Sequence, residues 1–437
     1  MEGLEQVLRS IKPTAASEKQ ERRFVDQVLE KLRRQVKGAK VALAGSFAKG
    51  TFLEGDKDVD VFVLFKHNVE KEALEGIVKG AVENAFPGAF YQIAYAQHPY
   101  VRVFLQGRKI DVVPAYEASH GRHFELKSAV DRSQLHTEYI LEKMGQRQKD
   151  EVRLLKKFLK SNHLYGAEIR VQGFSGYLCE LLILKYGTFS KAMKNISEWK
   201  ERTFLAVEGE AKPGAMEKFE TPLVVLDPVD ADRNVSAVVS SANYFALIAL
   251  ARAFLSSADK AGFFSKKALS AAALKKLVGK RNAYCIVFPA PKIVDDILWG
   301  QVRKFYSTLS CAMKKEGFEI LGCSMDRCNG SVCIAFELLN SELPENKVIY
   351  GPPLRYRADC EKFAAHYTNG QLLILEGRLA ALAKRKVRTP EQFLGKIRAL
   401  PAPSHLSSAK YAKLYKGAAA IKNCMQVLQQ YFSVQSR

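Results

Sequence analysis

Two acidic side chains stand one residue apart at the start of an apolar run in GSFAKGTFLEGDKDVDVFVLF, residues 45–65. In a β-strand, residues two apart project from the same face, so Asp58 and Asp60 would lie side by side and Val59, Val61 and Val63 would face a core. Adjacent carboxylates repel and raise each other's pKa, and a bound divalent cation such as Mg²⁺ removes that penalty. From this segment alone, a metal site and a solvated strand end are equal alternatives.

A third carboxylate and a small polar loop favour the metal site over the solvated strand end. Asp111 lies inside the apolar segment RKIDVVPAY, residues 108–116, where a carboxylate is expected to have a specific role. Gly45 and Ser46 follow the predicted strand AKVALA, and a turn of this kind can offer N–H groups and a hydroxyl to a phosphate. Lys49 adds a positive charge. A Gly-Ser pair is common, so it is the ordered combination that favours the metal site.

The elements that position these residues follow from hydrophobic periodicity. The first 140 residues or so read as a mixed α/β unit, the region from Asp150 to Tyr186 as helices, and the region from Ala283 to Leu338 as a ferredoxin-like βαββ arrangement. Asp150 is the predicted N-cap of its helix, with Gly166 and Gly187 as the predicted stops. Predicted helices cover 24–36, 71–86, 150–166, 174–187, 243–258 and 294–317, and predicted strands 39–45, 59–65, 90–96, 100–106, 108–116, 283–288, 318–325 and 331–338; residues 207–223 form a loop.

Composition limits the class of protein. The chain has 437 residues and a formal net charge of +21, from 67 basic and 46 acidic side chains. In a folded protein, so many positively charged side chains repel one another. A polyanionic partner is therefore the first expectation, and a generally basic surface is the alternative. No apolar segment is long enough for a membrane span or a secretion signal. The eight cysteines are scattered and are expected to be reduced, mostly buried thiols rather than metal ligands.

The set formed by GS, DVDVF and IDVVP resembles the nucleotidyltransferase superfamily of DNA polymerase β, poly(A) polymerases and CCA-adding enzymes. The resemblance implies three carboxylates on a small sheet that hold two Mg²⁺ ions for phosphoryl transfer. It implies that Asp58 and Asp60 bind both ions and that Asp111 completes the site that activates the acceptor 3′-hydroxyl. It also implies that Ser46 and Lys49 hold the triphosphate.

Further motifs narrow the resemblance to archaeal-type (class I) tRNA CCA-adding enzymes, from about residue 20 to 260. They are AQHPYVRV (96–103), KSAVDRSQLH (127–136), EVRLLKKFLKSNHLYGAEIRVQGFSGYLCELLI (151–183) and DPVDADRNV (227–235). By motif position, His136, Lys156 and Tyr165 would contact the triphosphate, and Arg233 the edge of the incoming base. Arginine is frequent in this family at the position of Lys49, and lysine lacks its bidentate fork. The implied nucleotide-binding residues are Gly45, Ser46, Lys49, His136, Lys156, Tyr165 and Arg233.

Each of these residues also has a plain structural interpretation. Lys156 can be one more cation on a basic helix face, Tyr165 a half-buried aromatic at a helix end, and His136 a satisfied surface residue. Arg233 can form a local ion pair with Asp227 or Asp230, which contributes little energy.

The resemblance predicts an α+β multidomain fold. It comprises a polymerase β-like nucleotidyltransferase palm (residues 1–145, the catalytic head), a helical central domain (146–260, the neck, which binds nucleotide), and a ferredoxin-like βαββ body with a mainly helical tail (261–437, which binds tRNA). GFFSKK, YGPPL and RTPEQF resemble those last domains, which would contact the acceptor stem and TΨC arm of tRNA. The basic segments 265–281 and 383–388 could bind phosphates there.

The resemblance implies a template-independent enzyme that adds or repairs the 3′-terminal CCA of tRNA from CTP and ATP with Mg²⁺, releasing pyrophosphate. The scattered, reduced cysteines predict a cytoplasmic location. Two alternatives stay open at this point. One is a related transferase, such as a poly(A) polymerase or an oligoadenylate synthetase, which would use ATP without CTP. The other is a catalytically silent RNA-binding protein, although all three carboxylates are present. The sequence leaves the oligomeric state open, with a homodimer among the alternatives.

Overall fold

The computed structural model describes residues 2–66, 69–95, 99–117, 130–209, 217–265, 269–367 and 371–435. The chain forms two compact units, residues 1–267 and residues 268–435. Parts of several predicted segments lie outside the described residues. They are residue 96 of the predicted strand 90–96, residues 96–98 and 127–129 of two motifs, 210–216 of the loop and 266–268 of the first basic segment.

The first unit begins with a sheet flanked by helices, as the sequence predicts. The strands run in the order β1-β2-β5-β4-β3; β2 and β5 are parallel and the other neighbours antiparallel. Val59, Val61 and Val63 of β2 are buried in the core beneath helices α2 and α4. The elements are α1 (Glu2–Ile11), α2 (Ala15–Gln35), β1 (Lys40–Ala44), α3 (Gly45–Lys49), β2 (Asp58–Phe65), α4 (Lys71–Ala85), β3 (Phe90–Tyr95), β4 (Pro99–Leu105) and β5 (Arg108–Tyr116).

The rest of the first unit is a helical core with a small sheet beside it. The order of that sheet is β6-β7-β8, which the sequence analysis did not predict. The elements are α5 (Arg132–Lys143), α6 (Gln146–Ser161), α7 (Gly176–Tyr186), α8 (Phe189–Ser197), β6 (Thr203–Leu205), β7 (Leu223–Asp227), β8 (Asp230–Asn234) and α9 (Ser241–Ser256), followed by a 3₁₀ turn at Ala261–Phe264.

The predicted ends of α6 were wrong, while the stop of α7 at Gly187 is confirmed. Helix α6 begins at Gln146, so Asp150 lies inside it. There Asp150 pairs with Arg153 at 2.6 Å and with Lys12 at 2.8 Å. Because the N-cap is Gly145, Asp150 has no capping role, and the helix ends at Ser161, before Gly166.

The second unit contains the predicted βαββ arrangement, β9-α11-β10-β11. Its sheet has the order β10-β11-β9-β15, so a fourth strand from the tail pairs antiparallel with β9 and completes a ferredoxin-like sheet. The elements are α10 (Ala271–Lys280), β9 (Asn282–Pro289), α11 (Asp295–Glu316), β10 (Ile320–Cys328), β11 (Ser331–Leu338), β12 (Asn346–Pro353), α12 (Arg357–His366), β13 (Gln371–Leu375), β14 (Arg378–Lys384), α13 (Pro390–Ala399), β15 (Lys413–Lys416) and α14 (Gly417–Gln435), with a 3₁₀ turn at Ser407–Tyr411.

The tail is less helical than the sequence predicts, because it also contains the three-stranded sheet β12-β14-β13. The hairpin between β13 and β14 has a two-residue loop, Glu376-Gly377. Both residues have positive φ, 51° and 71°, which this kind of tight hairpin requires. A Gly beside a polar residue between two apolar runs was therefore the signal that the sequence analysis missed.

All eight cysteines are free thiols; Cys179, Cys285, Cys333 and Cys424 are buried and Cys311 is exposed. Within the described residues, no helix is long and apolar enough to cross a membrane.

We expect Phe158→Ala to lower the free energy of unfolding of the first unit by about 3–5 kcal/mol. Phe158 is fully buried among Phe189, Phe254, Phe263 and Phe264, and its removal leaves a cavity. Urea unfolding can be followed by the fluorescence of Trp199 in a Trp299→Phe background, which leaves one tryptophan, in the same core.

The matched control is Leu141→Ala, since Leu141 is an exposed apolar residue on α5. It should change stability by less than about 0.5 kcal/mol. Equal effects of the two substitutions would show that this aromatic cluster does not hold the unit together.

Candidate active site

Two neighbouring strands bring the three predicted carboxylates together on the first sheet. Asp60 of β2 lies opposite Asp111 of the parallel strand β5, and Asp58 lies opposite Lys109 in the same register. Paired residues of neighbouring strands project from the same face, as do residues two apart. Asp58, Asp60 and Asp111 therefore share a face; we call them the carboxylate site.

Basic side chains contact the two outer members of the carboxylate site. Lys109 Nζ lies 2.8 Å from Asp58 Oδ2. Arg102 of β4 holds Asp111 with two hydrogen bonds, Nε to Oδ1 at 2.7 Å and Nη2 to Oδ2 at 2.9 Å. Asp60, between them, is half-buried. Burial and the neighbouring charge of Asp111 raise the pKa of Asp60 to about 6.

The carboxylate site fits a divalent cation by its donor chemistry. Its carboxylate oxygens are hard ligands, and a cation would offset the two effects that raise the pKa of Asp60, burial first and then the charge of Asp111. In the part of the chain that the structure describes, no group of three His, Cys, Asp or Glu side chains is already gathered around one ion position. Asp58 is instead paired with Lys109 and Asp111 with Arg102.

Gly45 lets the loop after β1 approach Asp60. It is the first residue of the short helix α3 and has φ +64°, a region that side chains rarely adopt. A Cβ atom at this position would lie 1.9 Å from Asp60 Oδ2, which is well inside van der Waals contact. The position therefore needs glycine for two reasons. Ser46, the next residue, is half-buried.

A buried cluster of two lysines, one threonine and one glutamate lies behind α3; we call Lys49, Thr51, Lys156 and Glu180 the lysine cluster. Glu180 of α7 accepts hydrogen bonds from Lys49 Nζ at 2.5 Å and from Thr51 Oγ1 at 2.7 Å. Lys156 Nζ of α6 donates to Thr51 Oγ1 at 2.9 Å and lies 3.3 Å from Glu180 Oε1. Lys156 is thus buried, and the interpretation as a solvated helix-face cation was wrong.

The lysine cluster carries an excess of positive charge when its three ionisable groups are charged, two cations against one anion. Burial opposes the ionisation of Glu180, but the charges of Lys49 and Lys156 outweigh it and lower the pKa of Glu180. Burial also lowers the pKa of Lys156, and Glu180 opposes this change. A buried cationic excess of this kind favours the binding of an anion.

A second cluster gathers around Asp227 at the end of β7; we call His136, Tyr177, Asp227 and Arg233 the Asp227 cluster. Asp227 Oδ2 lies 2.8 Å from His136 Nε2 and 2.7 Å from Arg233 Nη1, and Tyr177 Oη donates to Oδ1 at 3.1 Å. The sequence left open whether Arg233 forms a local ion pair with Asp227 or Asp230, and the pair with Asp227 is present. His136 is partly buried and stacks on Tyr177 at 4.0 Å.

Burial lowers the pKa of His136, although the hydrogen bond to Asp227 opposes this, so the neutral imidazole is favoured. Burial works against the charge of Asp227, but the contacts with His136 and Arg233 outweigh it and lower the pKa of Asp227.

Tyr177 and Gly176 connect these groups. The Lys49 ammonium lies 5.7 Å from the centroid of the Tyr177 ring, whose other neighbour is His136. A Cβ atom on Gly176 would lie 3.0 Å from Tyr165 Oη and 3.6 Å from Lys156 Nζ. The structure thus brings all the sequence-predicted nucleotide residues into one connected region of the first unit.

Arg153 joins the helical core to the loop after α3. It is buried on α6, where its Nε donates to the Phe52 carbonyl at 2.9 Å and its Nη2 to the Gly50 carbonyl at 2.7 Å. These bonds fix the loop that carries Thr51.

Glu180, Asp227 and Tyr177 are among the residues of this region that were missed from the sequence. Glu180 had a readable signal, because it is a lone charge inside the apolar run GYLCELLIL, and a buried charge needs a partner. Asp227 was seen only as a partner of Arg233. Tyr177 had no signal, since its role depends on its spatial neighbours.

Three protein-family models match three successive parts of the chain. The nucleotidyltransferase domain matches residues 25–136, the second domain of tRNA nucleotidyltransferase matches 150–265, and the C-terminal domain of CCA-adding enzyme matches 280–407.

Whole-chain relatives decide the family. A CCA-adding enzyme of Saccharolobus solfataricus is 35% identical over 384 residues, 87% of this chain and 88% of the relative. One from Methanocaldococcus jannaschii is 32% identical over 401 residues, with 88% and 87% covered. This chain belongs to the family of CCA-adding enzymes.

This chain also aligns with the Cid1 RNA terminal uridylyl transferase. The TM-score is 0.49 at 15% identity, over 60% of this chain and 97% of that one. The CCA-adding relatives, not this likeness, carry the assignment.

We expect Gly45→Ala to reduce nucleotidyl transfer by at least about 100-fold, because a methyl group displaces Asp60 and misplacement of about 1 Å costs this much. Gly55→Ala is the control: Gly55 has φ +80° but nothing within 4 Å of the added Cβ. In both variants alanine replaces a glycine with positive φ, so both should lose about 1–2 kcal/mol of stability to backbone strain. Thermal unfolding of the two variants would measure this loss. Equal activity of the two variants would rule out the proposed contact with Asp60.

We expect Glu180→Gln to lower the free energy of unfolding by about 3–5 kcal/mol, since it leaves two buried lysines without a counter-charge. Combining it with Lys49→Met removes one of those cations. The double variant should therefore lose at least about 2 kcal/mol less than the sum of the single variants. Urea unfolding of the four proteins, followed by Trp199, measures this coupling. Additive losses would contradict the buried pairing.

Proposed function

We propose that this protein adds and repairs the 3′-terminal CCA of tRNA, without a nucleic-acid template, from CTP and ATP. The observation that carries the proposal is the register of β2 and β5, which sets Asp60 beside Asp111 next to the nucleotide residues. The relatives named CCA-adding enzymes, at 32–35% identity over most of both chains, support the same reaction.

The three carboxylates would hold two Mg²⁺ ions, Asp58 and Asp60 touching both and Asp111 one. When bound, the ions lower the pKa of the acceptor 3′-hydroxyl and neutralise the charge of the triphosphate and of the pyrophosphate that leaves. The protein's part is to keep Asp60 and Asp111 adjacent on paired strands and to keep Asp60 in contact with the loop at Gly45.

The lysine cluster and its surroundings would bind the triphosphate. Lys49 and Lys156 would supply charge, and Ser46 and Tyr165 hydroxyl donors. His136 gives the one N–H of its neutral ring to Asp227, so it would donate to the triphosphate through Nδ1 only when protonated. The excess positive charge of the lysine cluster supports an anion there. Because Glu180 engages both ammonium groups, it orients them towards a common region rather than towards bulk water.

Arg233 would present donors to the edge of the incoming base. Its Nη1 is held by Asp227, and a guanidinium has five donors, so others stay available for a base. The same carboxylate holds His136. Asp227 therefore would set the relative position of a triphosphate contact and a base contact.

The second unit would bind the acceptor stem and TΨC arm of tRNA. Helix α10 exposes Lys275, Lys276 and Lys280, which suit phosphate contacts. In the segment 383–388, Lys384 pairs with Glu345 and Arg388 with Glu342, so α10 is the better candidate. The proposed domains are the head (1–145), the neck (146–260) and the body with tail (261–437). We expect the protein to act in the cytoplasm, and a homodimer stays a prediction.

The test is an addition assay on a tRNA transcript that ends at the discriminator base, with labelled CTP and ATP and Mg²⁺. We expect growth by C, C and then A. The Asp58→Ala, Asp60→Ala double variant should be at least about 1,000-fold slower, since metal-bound charge stabilisation contributes several kcal/mol. The Asp26→Ala, Glu30→Ala variant removes two exposed carboxylates of α2 and should keep the activity.

Other outcomes assign the protein elsewhere. Open-ended addition of A without CTP would make it a poly(A)-type transferase. Binding of tRNA with no addition by the wild type would leave an RNA-binding protein and overturn the proposal.

A further inference from the structure

Arg102 occupies both oxygens of one carboxylate of the proposed metal site. Its Nε and Nη2 donate to Asp111 Oδ1 and Oδ2, at 2.7 and 2.9 Å, from the directly opposite position on β4. Nη2 also lies 2.7 Å from Tyr100 Oη, and the guanidinium lies 5.4 Å from the centroid of the Tyr100 ring. The side chain is thus fixed at the carboxylate by the strand register and by an aromatic neighbour.

We propose that Arg102 is a built-in counterion that holds Asp111 in the metal-free enzyme and competes with the divalent cation for it. This inference rests on the proposed role of Asp111 as a metal ligand. Arg102 is a positioning residue, because it acts on the reaction through Asp111.

The geometry distinguishes Arg102 from Lys109, the other cation at the site. The Asp111 and Arg102 side chains are 13% and 28% exposed, whereas Asp58 and Lys109 are 66% and 32% exposed. A bidentate, partly buried arginine–carboxylate pair is much stronger than a single exposed lysine contact. Arg102, rather than Lys109, is therefore the main competitor of the divalent cation at the carboxylate site.

Two opposite effects follow from one contact. Without metal, the guanidinium offsets the repulsion between Asp60 and Asp111, which face each other across β2 and β5, so it stabilises the folded protein. With metal, the guanidinium and the ion repel each other when both approach Asp111. The bidentate pair must then open, which weakens metal binding. A purely structural pair would stabilise the fold and leave the affinity for metal unchanged.

The experiment measures Mn²⁺ binding to the full-length protein by electron paramagnetic resonance, without nucleotide or tRNA. We compare the wild type with R102Q, which removes the charge, and R102K, which keeps the charge but loses the fork. The matched control is R108Q: Arg108 makes a similar bidentate pair with Glu21, at 2.7 and 2.6 Å, away from the carboxylate site. The Mn²⁺ that the wild type binds and Asp60→Ala does not is assigned to the carboxylate site.

We expect R102Q to bind the Asp60-dependent Mn²⁺ at least about tenfold more tightly than the wild type, R102K to lie between them, and R108Q to match the wild type. Urea unfolding without metal should show that both R102Q and R108Q are less stable. Added Mn²⁺ should then restore more stability to R102Q than to R108Q, since a ligand stabilises the state that binds it.

Equal Asp60-dependent affinity in the wild type and R102Q, or weaker binding in R102Q, would overturn the competition while leaving the metal site in place. Absence of Asp60-dependent Mn²⁺ binding in the wild type and R102Q alike would overturn the metal site itself, and this inference with it. The two failures are therefore distinguishable.

Discussion

The parallel pairing of β2 with β5 is the constraint on which the site depends. It sets Asp60 opposite Asp111 and directs Val59, Val61 and Val63 into the core beneath α2 and α4. A shift of one residue along either strand would reverse the faces and bury a carboxylate in that core. The cost of burying an unpaired charge thus protects the register, and the register creates the proposed metal site.

Charge compensation is the second theme of the first unit. Three carboxylates of this unit have counter-ions from other elements: Glu180 of α7 between two lysines, Asp227 of β7 between His136 and Arg233, and Asp111 of β5 with Arg102. The contact of Glu180 with Lys49 links α3, which follows the first sheet's β1, to the helical core. A substrate that enters such a region rearranges existing ion pairs rather than filling an uncharged cavity.

This arrangement bears on the proposed binding of metal and nucleotide. The ion pairs of Asp58 with Lys109 and of Asp111 with Arg102 offset part of the repulsion among three carboxylates on one face of the sheet. The same pairs lower the net affinity for any ligand that must replace them. Arg102 and Glu180 differ in this respect, because Arg102 opposes a cation at Asp111, whereas Glu180 holds two cations that an anion still attracts.

Much of this protein was readable in its sequence. The period-2 pattern of β2, the apolar run around Asp111 and the motifs from GS to DPVDADRNV identify the strands, the family and the candidate site residues. The ends of α6 and the hairpin at Glu376-Gly377 were not. Helix α6 begins after Gly145, whose N–H is bonded by Gln148, and the hairpin depends on two residues with positive φ.

The sequence by itself determined the residue types, their order on each strand and helix, and therefore the chemistry that the site can support. Only the tertiary structure decided the partners. Glu180 lies 129 residues beyond Thr51 and Asp227 lies 91 beyond His136, and nothing in the local sequence specifies such pairs. They arise because packing removes these charges from water, so each must find the oppositely charged group that the fold brings within reach.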